Sequence, residues 1–138
     1  MRHALSLLAF AFLVFTAQSG EAVEVLHTYD SMKDDTQELA SQYPDIAIYS
    51  EQGMSTGLDL EIFSVDVALN ITELTDEELN ALPTMYVDGT HHGNEGMSAE
   101  ASFLFLQDVL QRSAADPSYL EGKRLVKLSV SKSLIKLV

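Results

Sequence analysis

Between Thr84 and Gln111 the apolar residues change period, and few folds accommodate that change. Thr84–Asp88 is a short run of strand character, and the polar stretch Gly89, Thr90, His91, His92, Gly93, Asn94, Glu95 follows it directly. From Gly96 onward Ala99, Phe103, Leu106 and Leu110 recur along one helical stripe, which Leu104 and Phe105 widen. The spacing predicts a helix over 96–111 lying flat on a sheet, reached from an inward-facing strand over 84–88. A strand that runs straight into a helix is a building unit of α/β folds.

The segments around this junction agree with that reading. Thr28 is placed to cap a helix over 29–43, with Tyr29, Met32, Thr36, Leu39, Ala40 and Tyr43 at helical spacing and Pro44 as its stop. Residues 46–51 and 58–67 are rich in β-branched and large apolar types, and 52–57, with Gly53 and Gly57, predicts a hairpin connection. Within 58–67 the apolar parity switches from Leu58, Leu60 and Ile62 to Phe63, Val65 and Val67. That switch implies a bulge in this strand or burial on both of its faces. Thr75 and Glu78 form a capping box for a short acidic helix to Leu82, Asp116–Pro117 marks a turn, and 124–130 predicts another strand. The expected fold is α/β, a mixed sheet with flanking helices.

Residues 1–20 stand apart from this domain. Arg2 gives a positive start, the 14 residues from Ala4 to Ala17 are almost wholly apolar, and Gln18, Ser19 and Gly20 follow. This is the pattern of a secretory signal peptide with cleavage between Ser19 and Ala22, and the apolar run is short against the ~20 residues that cross a bilayer. A secreted or extracytoplasmic protein with no stable membrane span after cleavage is expected.

Charge divides the remainder. Residues 21–111 hold 19 of the 21 acids and one base, Lys33, whereas 112–138 carry six bases and two acids. A domain this acidic repels nucleic acid and anionic membranes, which excludes nucleic-acid binding from the expected functions. The organisation expected is a domain over 21–124 and an atypical basic tail over 125–138. With no cysteine, neither a disulfide framework nor a thiolate zinc site is available.

His92 and Glu95 carry the chemistry. A loop containing Gly93 lets an imidazole and a carboxylate turn toward one point beyond the carboxyl end of a strand, where open α/β sheets bind ligands. One nitrogen and one carboxylate suit zinc, but a catalytic zinc site requires a third protein ligand and an open position. Taken alone, HxxE is a short pattern that solvated loops of acidic chains also carry.

The segment GTHHGNE over 89–95 resembles the first zinc-binding motif of the M14 family of zinc carboxypeptidases, in which a strand enters a glycine-containing HGNE loop and then a helix. HTYDSMKDDTQELASQYPDI, from His27, resembles the family's opening helix, and Gly57, Leu58, Asp59, Leu60 resembles its GRDL hairpin strand, with Leu58 in place of the arginine. The three matches occur in the family's order. The resemblance implies the N-terminal portion of a zinc carboxypeptidase-like fold, with His92 and Glu95 as zinc ligands, Asn94 as a substrate contact and peptide or protein C-termini as substrates. His91 and His27 fall outside the implied ligand set.

The family's third zinc ligand, its carboxylate-binding arginines and its general-base glutamate all lie further downstream. No histidine follows His92 in this sequence, and Glu100 and Glu121 are not in a matching context. No catalytic residue is therefore assigned. An incomplete fragment of low activity, from an interrupted reading frame or a short natural protein, is one expectation, and an exported acidic binding module without catalysis is the alternative. A sheet cut after its first strands is also expected to self-associate through its open edge.

Overall fold

Thr28 and Ser31 open the first helix by capping each other. The Thr28 hydroxyl accepts from the Ser31 N–H at 3.2 Å, and the Ser31 hydroxyl accepts from the Thr28 N–H at 2.9 Å. Helix α1 then runs over Tyr29–Ser41 and buries Tyr29, Met32, Thr36, Leu39 and Ala40, the face its spacing predicted. It ends at Ser41, one half-turn before the expected Tyr43, which is only half-buried. The computed structural model describes residues 26–55, 59–89 and 96–129.

Two strands follow, β1 (Ala47–Met54) and β2 (Glu61–Val67), paired antiparallel from Ala47↔Val67 to Met54↔Glu61. The bulge lies in β1, where the register shifts between Glu51 and Gly53, and not in the second strand as the parity switch allowed. Gly53 adopts φ +142°, a conformation open to glycine. Within β2 the fully buried apolar residues Phe63, Val65 and Val67 keep one parity, toward the helices, and of the other parity Ser64 is buried, its hydroxyl accepting from the Gln52 amide at 2.8 Å.

Thr75 and Glu78 cap the short helix α2 (Asp76–Ala81), which buries none of its residues. Strand β3 (Thr84–Asp88) follows, then α3 (Gly96–Ala115), a short 3-10 helix over Pro117–Leu120 capped by Asp116, and β4 (Arg124–Ser129). The sheet order is β1-β2-β4-β3, with β4 antiparallel to β2 and parallel to β3. The chain is thus a mixed α/β fold, as expected. The basic segment beginning at residue 125 supplies most of β4, the strand between β2 and β3, through Ser129.

The core lies under one face of the sheet. Ala47, Val65, Val67 and Leu125 pack there against Leu39 and Ala40 of α1 and Leu106, Val109 and Leu110 of α3. A second cluster joins Tyr29, Met32, Phe63 and Ala99. Helix α3 is longer than the spacing implied, and its stripe differs: Leu104 is exposed, Phe103 is half-buried, and Ser102, Val109 and Ser113 take the interior positions. Small residues sit inside because the helix crosses close to the sheet. Strand β3 also departs from expectation, since Met85 and Tyr86 are 57% and 72% exposed. Among the described residues β3 pairs only with β4, and a strand at a sheet edge has no neighbour to bury its outer side chains. No described helix is long and apolar enough to cross a membrane.

Candidate functional site

Parallel pairing brings the carboxyl ends of β3 and β4 to one edge of the sheet, and β2, being antiparallel, begins there. Helix α1 starts at the same edge: the Tyr29 hydroxyl donates to the Glu61 carbonyl at 2.9 Å, and Lys33 pairs with the Glu61 carboxylate. Helix α3 is fixed there by Gly89. A Cβ on Gly89 would collide with the Ser102 hydroxyl and stand 3.3 Å from the Ala99 Cα, so glycine lets the strand exit lie against the first turns of α3 without displacing either. The Ser98 hydroxyl donates to the Gly89 carbonyl and closes the contact.

The segment 90–95 therefore spans two fixed points, the carboxyl end of β3 and the amino end of α3. His92, Asn94 and Glu95, the candidate ligands and substrate contact, lie outside the described residues, as does His91. Their flanks form the strand–loop–helix junction that the sequence placed there, at the edge where α/β sheets bind ligands.

Beside this junction is a polar cluster that the sequence reading did not assemble. Nδ1 of His27 lies 2.7 Å from Oε2 of Glu100, and Nε2 lies 2.9 Å from Oδ2 of Asp35. The His27 backbone N–H donates to Oε1 of Glu100 at 2.6 Å, and the imidazole rests on Phe103 with ring centroids 5.1 Å apart. Lys127 is fully buried, its ammonium 5.4 Å from the Phe63 ring centroid. Burial pushes its amine down to about 8, and the charge of Glu100 opposes that shift. Tyr49 stacks on the same Phe63 ring at 5.6 Å, and burial, with Glu51 adding, pushes its phenol up to about 12.

Lys127 had a legible signal. It shares the strand parity of Leu125 and pairs across to Val65 and Val87, so alternation alone puts it on the covered face. His27 and Glu100 lie 73 positions apart and had none.

The donor set does not amount to a complete zinc site. Among the described residues no three His, Asp or Glu side chains are grouped to hold a metal. The carboxylates around His27 contact its two different ring nitrogens, which point away from each other, so they share no ion with it.

No family model matches the sequence, and no curated protein matches it. The structure does have relatives in fold. The crystal structure of thrombin activatable fibrinolysis inhibitor (TAFI) superposes with a TM-score of 0.61 at 16% sequence identity, covering 75% of this chain and 24% of that one. The fold defined by this four-stranded mixed sheet and its helices is carboxypeptidase-like. At that identity the likeness is one of fold, and this chain spans about a quarter of the length of the structure it matches.

Proposed function

We propose that this chain represents the N-terminal part of an exported metallocarboxypeptidase-like protein, in which His92 and Glu95 hold zinc and Asn94 contacts the substrate. One observation supports the reading: the two flanks of the 90–95 segment, the end of β3 at Asp88 and the start of α3 at Gly96, meet at the carboxyl edge of a carboxypeptidase-like sheet. The substrates of the complete site would be peptide or protein C-termini. Bound zinc would polarise the scissile carbonyl and activate water. With only two donors assigned where a catalytic zinc site takes three protein ligands, this chain by itself is expected to bind zinc weakly and to hydrolyse peptides little or not at all.

Calorimetric zinc titration of the chain beside His92→Ala and Glu95→Ala tests the ligand roles. The wild-type chain should bind at least about tenfold more tightly than either variant, in keeping with the loss of one of two donors. Equal binding by all three would discard both ligands. Rapid, chelator-sensitive release of C-terminal residues from peptides would overturn the expected inactivity.

That two-donor assignment favours a second reading, an exported acidic binding module that keeps the fold without the hydrolysis. Zinc binding that survives in all variants, with no turnover, would support it.

A further inference from the structure

Asn70, Ile71 and Thr72 form the one triplet in the sequence that suits an N-linked glycan, an asparagine with a hydroxyl residue two positions on and a residue other than proline between them. None of the three belongs to the candidate site. The fold treats them differently from one another. Ile71 is 2% exposed and its N–H donates to the Asp45 carbonyl at 3.0 Å, which pins the turn to the body of the protein. Asn70 and Thr72, on either side of it, are exposed, and the Glu73 N–H closes the turn on the Asn70 carbonyl at 2.8 Å. Asn70 adopts φ +50°, a left-handed conformation that asparagine and aspartate take more readily than most side chains. Among the described residues neither the Asn70 side-chain amide nor the Thr72 hydroxyl makes a hydrogen bond. The backbone thus accounts for an asparagine at 70, whereas no bond accounts for a hydroxyl at 72.

We propose that Asn70 is an N-glycosylation site, loaded during export from an oligosaccharide carried on a polyisoprenyl diphosphate. Nδ2 of Asn70 attacks the anomeric carbon of the first sugar. The carbon–nitrogen bond forms as the bond from that carbon to the diphosphate oxygen breaks, the polyisoprenyl diphosphate leaves with the electron pair, and the amide gives up one proton. A membrane-bound transferase catalyses the step, and this chain supplies only the acceptor. The folded protein has room for the product. The turn follows the end of β2 at Val67, and α1 and α3 also finish at this end of the sheet, opposite the edge where they begin, so a glycan here leaves the candidate site open. Beside Asn70 a hollow of about 300 Å³ is lined by Tyr43, Pro44, Ile46, Leu69 and Pro117, whose rings offer apolar faces to the C–H side of a first sugar. The proposal rests on the export reading, and on neither the zinc ligands nor the peptidase kinship.

The test expresses the full chain in cultured animal cells and compares the intact mass of the secreted product for wild type, Asn70→Asp, Thr72→Ala and Thr72→Ser. Aspartate suits the left-handed turn, so Asn70→Asp removes the acceptor amide and keeps the fold. Wild type should carry a glycan that an N-glycan amidase removes, leaving aspartate at position 70. Thr72→Ser should keep the glycan, at full or reduced occupancy, while Asn70→Asp and Thr72→Ala should carry none. A secreted wild-type chain of unmodified mass, or a glycan that persists in Asn70→Asp, overturns the proposal. If no chain reaches the medium, the same variants are sent out behind a leader of established export in place of residues 1–20. Glycan at Asn70 in that product upholds the site and counts against the export reading, and an unmodified product overturns the site.

Discussion

Lys127 shows how one side chain can shape the stability profile of the whole chain. Its folded amine, held down to about 8, binds a proton less tightly than in the unfolded chain, where the ordinary value is 10.5. Below about pH 8 both states are protonated and the burial penalty is fully felt; between there and 10.5 the unfolded state holds more protons, so stability rises with pH. The phenols act in the opposite sense. Burial raises Tyr29 and lifts Tyr49 to about 12, so above 10 the unfolded chain ionises first and stability falls. Denaturant titrations stepped through alkaline pH should show a rise on the order of 2 kcal/mol between about pH 8 and about pH 10, absent in Lys127→Met. Parallel profiles for the two proteins would contradict this account. Gly89 makes a second prediction of this kind. Gly89→Ala should lower stability by about 1–3 kcal/mol through overpacking against Ser102. In a Ser102→Ala background the same change should cost measurably less, because the clashing hydroxyl is gone, and a double-mutant cycle reads that coupling directly.

The two capping boxes give a matched comparison between elements. Thr28 caps a helix that buries five residues, whereas Thr75 caps one that buries none. Thr28→Ala should therefore destabilise the chain by about 1 kcal/mol, while Thr75→Ala should fray α2 locally and move the global unfolding midpoint little. Thermal denaturation measures the first and amide exchange the second. The Thr28 cap and the Thr75–Glu78 box were legible in the sequence, because capping depends on residues three apart, whereas the Ser31 half of the first box emerges only in the structure. The buried stripe of α1 was legible for the same reason. What could not be read locally was set by distant partners. The pairing of β2 with β4, 58 or more positions away, left no trace in the local pattern. Leu104 matched the α3 stripe by spacing yet faces solvent, since the position of the sheet, not the helix period, selects which flank of a wide stripe is covered. The strand and helix that flank the candidate metal segment, whose own residues lie outside the described ones, were legible. The His27 cluster beside it was not, because a hydrogen bond between residues 27 and 100 leaves no periodic trace.

For the molecule as a whole, the edge of β3, unpaired on its outer side among the described residues, is where association between copies is expected to begin. This strand leaves Met85 partly exposed on the helix-covered face and Tyr86 exposed on the opposite face, and it pairs on one side only among the described residues. Next to it an apolar hollow of about 290 Å³ is lined by Met85, Phe105, Val109, Leu120 and Leu125. An unpaired backbone ladder beside exposed apolar side chains invites a further strand, and the fold it matches extends roughly three quarters of its length beyond the shared part. The strong acidity of residues 21–111 opposes random aggregation, but its repulsion is screened within about 10 Å at ordinary salt, while strand pairing acts at contact. Association should therefore increase as salt is raised. Tyr86→Lys removes an exposed ring and places a charge where an added strand would lie, without disturbing the covered face, so it should raise the monomer fraction severalfold at a given concentration. Light scattering across a concentration and salt series measures this. A wild-type chain that stays monomeric at high salt, or a Tyr86→Lys variant that associates as strongly as wild type, would show that β3 is not the surface through which copies meet.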